Sequence, residues 1–342
     1  MFKQNSPMIE YKKGIHIKDS RLWLDARRKV DFSFVSHAHI DHAAKHNEIL
    51  STQETAKFYE HRWGKTNFHI LEYNRPKRIE GLKVELFPSG HILGGAQILI
   101  EKDGVRLVYT GDFKLRKSLT AREAEIKKCD ILVLESTFGL PHYLFPPMTE
   151  VHDRMLKFVE TARKDGKTPI FLAYSLGKAQ EAMMILSKFG YRLSVHATIS
   201  PLAKIYENFG VKFINWEQYH YGNLEDRVLI VPPWVRGSRM IDSIPRKRMA
   251  ILTGWAIDNQ AKNRFGVDEA IPLSDHADFS ELMEYAQKAK PEKIYTIHGF
   301  PEFVNYLKKA GFEAEPLIEN TKAKTILCKE MLVNYDLFAQ NT

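Results

Sequence analysis

Residues 36–42 read SHAHIDH, placing three imidazoles and one carboxylate within seven positions. A fold that buries such a run must give those groups a common partner, because unpaired polar groups are costly away from water. Residues two apart on an extended strand end point the same way, so His37 and His39 suit one cation, and the turn that follows carries Asp41 and His42 to a second. Imidazole and carboxylate ligands are what Zn²⁺ accepts, and Mn²⁺ tolerates them. The expectation is a site for two divalent ions, zinc first and manganese second.

Four further segments share the grammar of this one. KVELFPSGHILGG, VRLVYTGDF, DILVLESTFG and KIYTIHGF each begin as a β-rich run and end in polar or metal-capable residues, as does VDFSFVSHAHIDH itself. Their reactive ends are expected along one sheet edge. His91, flanked by glycines that let a backbone approach closely, is the expected third imidazole of the first ion. Asp112 is the expected bridge, since one carboxylate can give an oxygen to each of two cations. His298 would complete the second ion with Asp41, His42 and Asp112. Asp25, in LWLDARRK, suits the position behind a metal-bound histidine, where a carboxylate fixes the ring's tautomer. Two ions roughly 3.5–4 Å apart lower the pKa of a shared water from 15.7 to about 7, so the expected chemistry is hydrolysis.

Asp103-Gly104, within ILIEKDGVRLVYT, predicts a hairpin. From Pro141 the pattern changes to helix-period stretches, TEVHDRMLKFVETARK and GKAQEAMMILSKFG, alternating with TPIFLAY, VLIVPP and MAILTGW. After Pro272 the metal-capable strand ends resume. This order predicts one domain made of residues 1–140 and 272–342, interrupted by an inserted α/β domain at 141–271.

Length and charge narrow the function classes. The chain has 342 residues, room for two structural units. No stretch approaches the 18 or so apolar residues of a membrane span, and the polar N-terminus lacks a signal-peptide core, so no membrane role and a cytoplasmic location are expected. Cys129 and Cys328 are too few for a disulfide framework and are expected to be buried thiols. A net charge of +8 would draw a polyanion, although the Lys and Arg form no polybasic tail.

Taken in order, HxHxDH, GH and GD resemble the metallo-β-lactamase superfamily. DILVLESTFG, PLSDHADF and IYTIHG, arranged around an inserted α/β unit, are similar to the three added motifs of its β-CASP nuclease branch. ESTFGLPHYLFPP and FLAYSLGKAQE are further similar to the DNA-ligase-associated exonuclease group of bacteria and archaea. The resemblance covers nearly the whole chain. It implies an α/β fold, an αββα sandwich with an inserted β-CASP domain, and metal ligation by His37, His39, Asp41, His42, His91, Asp112 and His298. It also implies that Glu135 is the branch's acidic residue and that His276 is its SxHAD histidine. A histidine titrating near neutrality can protonate a leaving oxygen, so His276 is the general-acid candidate, with Glu135 orienting it and Asp41 joining them in catalysis. Two features depart from the branch: the insert is shorter than in its RNA-cleavage factors, and Asp275 stands where many members have a small residue.

For the substrate, SLGKAQEAMM reads as a loop entering a helix, where Ser175 and Lys178 are candidates to hold a phosphate. PPWVRGSR and RKRMAILTGW supply Trp234, Arg236, Arg239, Arg246, Lys247, Arg248 and Trp255, a mix suited to stacking and phosphate contact on a single strand. The expected activity is phosphodiester hydrolysis on single-stranded nucleic acid, RNA slightly favoured over DNA, with other RNA-processing or DNA-repair proteins as partners. The alternatives are a DNA exonuclease working with a DNA ligase, a small-molecule thioesterase or lactonase on the same fold, and an inactive nucleic-acid-binding subunit.

Overall fold

Short strands build the first sheet in the computed structural model, which describes residues 8–12, 14–222 and 224–317. Its strands are β1 (Ile9–Tyr11), β2 (Ile15–Ile17), β3 (Leu22–Leu24), β4 (Phe32–Phe34), β5 (Glu48–Ser51) and β6 (Asn67–Ile70), lying side by side in chain order. The first three pair antiparallel and β3 to β6 pair parallel. Helix α1 (Gln53–Trp63) joins β5 to β6, capped by the Thr52 hydroxyl, which accepts from the Thr55 N–H.

The second sheet starts with β7 (Lys77–Ile79), β8 (Leu82–Pro88), β9 (Ala96–Lys102), β10 (Val105–Tyr109) and β11 (Ile131–Ser136). Asp103 and Gly104 both have positive φ, 51° and 80°, and close the expected β9–β10 hairpin.

The chain then enters a second unit. Its elements are α2 (Met148–Lys164), β12 (Thr168–Leu172), α3 (Lys178–Lys188), β13 (Arg192–Val195), α4 (Ser200–Asn208), β14 (Trp216–Gln218), β15 (Arg227–Val231), α5 (Arg239–Asp242), β16 (Lys247–Leu252), α6 (Ala261–Phe265) and β17 (Glu269–Ile271). The six strands form an all-parallel sheet in the order β14-β13-β15-β12-β16-β17. Such a sheet needs helices on its faces, and the inner strands β12, β15 and β16 accordingly carry near-continuous apolar runs.

On its return the chain adds α7 (Phe279–Ala289), β18 (Lys293–Gly299), α8 (Phe303–Lys309) and β19 (Glu313–Pro316), completing the second sheet in the order β19-β18-β11-β10-β9-β8-β7. Of the described residues, those from 8 to 117, Ala121–Leu140 and those from 279 to 317 make one compact unit, and Ser118–Thr120 with those from 141 to 278 make the other.

Within the first unit, side-chain alternation explains the layering. Phe32, Phe34, Leu50, Ile98, Ile100, Val133 and Ile297 share one core fed by both sheets. Ile49, one residue from Leu50, faces the other way and packs with Val35, Ala43 and Tyr59 of α1. On the second sheet α7 lies against β11, and its Tyr285 meets Phe113 edge-on at 4.7 Å. The layers run helix, sheet, sheet, helix, the expected αββα order. Each core side chain of this size contributes about 1.5–3 kcal/mol by leaving water. Among the described residues no helix is long and apolar enough to cross a membrane. Cys129 is buried, which pushes its thiol up to about 12, and Cys328 lies outside the described residues.

Candidate metal centre

Strand direction gathers the polar groups of the first unit. Strand β4 ends just before Ser36 and His37, β8 ends before the loop carrying His91, and β10 ends before Asp112. Strand β11 closes on Glu135 and Ser136, and β18 on His298 and Gly299. Because β8, β10, β11 and β18 all point the same way, their ends share one edge of the second sheet. Gly111, at φ 53°, is required there: a Cβ would stand 2.7 Å from the Ser36 side chain.

Donor atoms of His37, His39, His91 and Asp112 all lie within 4.8 Å of one another. A single oxygen, Asp112 Oδ2, faces His42 Nε2 at 3.2 Å, His37 Nε2 at 3.5 Å and His91 Nε2 at 3.8 Å. His37 Nε2 is buried and has no hydrogen-bond partner, a cost of about 1–3 kcal/mol that a cation bound at its lone pair would offset. Three imidazoles and a carboxylate around an orphaned ring nitrogen fit a divalent cation of the zinc type. Burial first, then the neighbouring imidazoles, holds His37 well below the usual histidine range, so its ring is neutral and able to ligate.

His42 is oriented from behind. Its Nδ1 lies 2.7 Å from Asp25 Oδ2, and Asp25 also accepts from the Ser36 N–H at 2.7 Å, the Ser36 hydroxyl at 2.5 Å and the Tyr109 hydroxyl at 2.7 Å. Burial opposes charge on His42, but Asp112, Asp41 and Asp25 together raise it well above the ordinary value. Asp41 Oδ2 stands 3.9 Å from His42 Nε2, with its side chain half exposed.

The ring of His298 is centred 5.2 Å from that of His42. Its residue has φ 49°, and Arg27 Nη2 contacts its Nδ1 at 2.8 Å. Burial, then the Arg27 charge, lowers His298 to about 3. Among the described residues of this unit, the group of donors that closes to within 4.8 Å is the first one, and His298 is not in it. Arg27, Ser36 and Tyr109 escaped the sequence reading. The available signal was their closeness in the chain to Asp25, His37 and Asp112.

Glu135 is fully buried, accepting from the Phe113 N–H at 2.7 Å and the Thr137 hydroxyl at 2.6 Å. His276 belongs to the second unit, in the loop that follows β17, and is half-buried, with its N–H donated to Ser274 Oγ at 3.1 Å.

Also in the second unit, the Lys178 ammonium is buried against Asp275 Oδ2 at 2.8 Å. The Gly177 and Ala179 N–H groups bond to Gln180 Oε1 and the Tyr174 carbonyl, so these two donors are engaged internally. Ser175 Oγ meets Thr198 Oγ1 at 3.1 Å. The basic and aromatic residues divide between the two ends of the parallel strands, with Trp234, Arg236 and Trp255 after the carboxyl ends of β15 and β16. Arg246, Lys247 and Arg248 stand at the start of β16 and Trp255 follows its end, about 20 Å away at 3.3 Å per residue. Arg246 and Arg248 contact the Asp165 carbonyl and carboxylate at 2.8 and 3.4 Å.

A family described as a Zn-dependent metallo-hydrolase RNA specificity domain matches residues 269–319, the stretch holding His276 and His298. The chain is 36% identical to a protein of Opitutus terrae named "Probable DNA ligase", across 92% of this chain and 31% of that protein. It is 24% identical to the "RNase J-like protein" of Methanocaldococcus jannaschii, covering 80% of this chain and 82% of the relative. It is 21% identical to "Endoribonuclease YSH1" of Candida albicans, covering 90% and 48% respectively. The chain thus spans under a third of the first of these proteins and about half of the third.

Proposed function

The chain belongs to the β-CASP nuclease group of the metallo-β-lactamase superfamily, and from that premise we propose that it is a metal-dependent nuclease that hydrolyses phosphodiester bonds of single-stranded nucleic acid. One observation carries the reading: a lone oxygen of Asp112 faces three imidazole nitrogens, one of them buried without a hydrogen-bond partner.

His37, His39, His91 and Asp112 would hold one divalent ion, and Asp41, His42, His298 and the same Asp112 a second, with zinc or manganese as the fitting metals. When bound, such ions supply Lewis acidity and bring the pKa of water toward 7. The protein's own groups do the rest. Asp25 holds His42 in one tautomer through Nδ1. Glu135, fixed by two hydrogen bonds, keeps a carboxylate in a set orientation. His276 delivers a proton to the leaving oxygen, which spares the reaction a free alkoxide.

The RNA reading is supported by the printed description of the matched domain and by two relatives named as ribonucleases. A second reading, DNA processing beside a ligase, is favoured by the Opitutus protein, in which a stretch like this chain sits within a longer polypeptide named for a DNA ligase. Purified protein incubated with end-labelled single-stranded RNA and DNA, with Zn²⁺ or Mn²⁺ and with chelator, tests both. Metal-dependent shortening of RNA supports the first, and of DNA alone the second. Hydrolysis of a thioester or lactone with both polymers intact would overturn the nuclease reading.

A further inference from the structure

A histidine that binds a cation must offer a lone pair on one nitrogen and place the proton of the other against an acceptor. His42 is built for the second condition, because the group behind its Nδ1 is the carboxylate of Asp25. His298 has the opposite arrangement. The group at its Nδ1 is the Arg27 guanidinium, 2.8 Å away. A guanidinium has donors only and keeps its charge, so Nδ1 must accept. A neutral imidazole has one such lone pair, and the proton therefore sits on Nε2. While this contact stands, neither nitrogen of His298 can ligate: Nδ1 is taken, and freeing Nε2 would set an Nδ1–H against the donors of Arg27.

We propose that Arg27 gates the second metal position, its contact with His298 and the binding of an ion by His298 being mutually exclusive. The proposal rests on the reading of His298 as a ligand of that ion. Backbone constraints identify which partner moves. His298 is pinned at the end of β18 with φ 49°, between an Ile297 carbonyl that accepts from Ser136 Oγ at 3.0 Å and its own carbonyl, which faces Thr137 Oγ1 at 3.4 Å. Gly299 beside it is packed so closely on the Ser136 carbonyl that it has no room for a Cβ. Arg27 is exposed, and its long side chain can swing into water without unpacking anything buried. The first position is independent of the gate, since His37, His39, His91 and Asp112 converge without either residue.

The test is metal binding, with no turnover involved. Protein stripped of metal is titrated with Zn²⁺ against a chromophoric chelator, comparing the unaltered chain with Arg27→Ala, Arg27→Lys, His298→Ala and the Arg27→Ala/His298→Ala pair. Arg27→Ala should tighten the second equivalent about tenfold, the scale of one charge-assisted hydrogen bond, and leave the first unchanged. Arg27→Lys, which keeps a cationic donor, should stay closer to the unaltered chain, and the gain should vanish on the His298→Ala background. A second equivalent that is unchanged or weaker in Arg27→Ala, with His298→Ala losing it, would overturn the gate alone. A second equivalent that survives His298→Ala would show that the ligand reading itself fails, and the gate with it. Nitrogen-15 shifts of the His298 ring in the stripped protein give an independent check: an Nδ1-protonated ring contradicts the proposal.

Discussion

Asp25 Oδ2 lies 2.7 Å from His42 Nδ1, and the same carboxylate gathers two donors from Ser36 and one from Tyr109. Four donors on two oxygens leave no place for an amide N–H. Asp25→Asn must turn an NH₂ toward at least one of them, so the imidazole loses its acceptor and its fixed tautomer. Zinc affinity is expected to fall about 10–100-fold, the usual cost of losing such a partner, and stability by roughly 1–3 kcal/mol. Chelator competition and urea unfolding measure the two separately. Lost stability with unaltered zinc affinity would mean that Asp25 serves the fold alone.

How much of this arrangement the chain discloses in advance depends on how local it is. The strand ends were legible because each pairs a β-rich run with a polar stop, and the β9–β10 hairpin because Asp103-Gly104 accepts positive φ. Helix α1 was not anticipated. Its cap signals, Thr52, Glu54 and Gly64, are present, but its buried face is only Thr55, Ala56, Phe58 and Tyr59, too few for a clear period. Contacts between distant residues carry no such signal. Arg27 meets His298 across 271 positions and Lys178 meets Asp275 across 97, and nothing in LDARRK or SLGKAQ points to either partner. The grouping of Arg246–Arg248 with Trp255 failed for a related reason: neighbours in sequence lie at opposite ends of one strand.

His46 gives the fold a limit on the acid side. Backbone N–H groups of Val30 and Ala44 face its two ring nitrogens at 3.3 Å each. Burial lowers it to about 4. The unfolded chain, near 6.5, therefore takes up a proton that the folded chain refuses. Stability is fully present above 6.5 and is lost as pH falls through that value toward 4, on the order of 1–2 kcal/mol by pH 5. His46→Gln, with no titrating ring, should flatten that loss. Urea midpoints at pH 7.5 and 5 for both proteins read it, and equal drops would remove His46 from the account.

A general acid at His276 matters only when the leaving oxygen is a poor one. His276→Ala is expected to lower kcat on an oligonucleotide by 10²–10⁴-fold with little change in KM. On a p-nitrophenyl phosphodiester, whose phenolate leaves without a proton, the same variant should keep most of its rate. Equal losses on both substrates would point to a positioning role, and no loss on either would end the assignment.

Trp234 and the Arg246–Arg248 pair separate two ways of holding a strand. Trp234 follows β15 at the carboxyl end of the parallel sheet, the edge where such sheets bind ligands, and is 51% exposed with the His196 ring edge-on at 5.4 Å. Tyr174, 43% exposed, follows the adjacent strand β12 at the same edge. Arg246 and Arg248 stand at the amino end, each with a hydrogen bond to Asp165. Stacking on an aromatic ring is worth about 1–3 kcal/mol per base and is insensitive to salt, whereas phosphate contacts set the salt slope. Trp234→Ala should therefore weaken binding of a labelled single strand to chelator-treated protein by that amount without changing the slope. Arg246→Ala should leave both affinity and slope nearly as they were. Anisotropy titrations at several salt concentrations distinguish these outcomes, and a large loss of affinity and slope in Arg246→Ala with none in Trp234→Ala would move the strand to the opposite edge of the sheet.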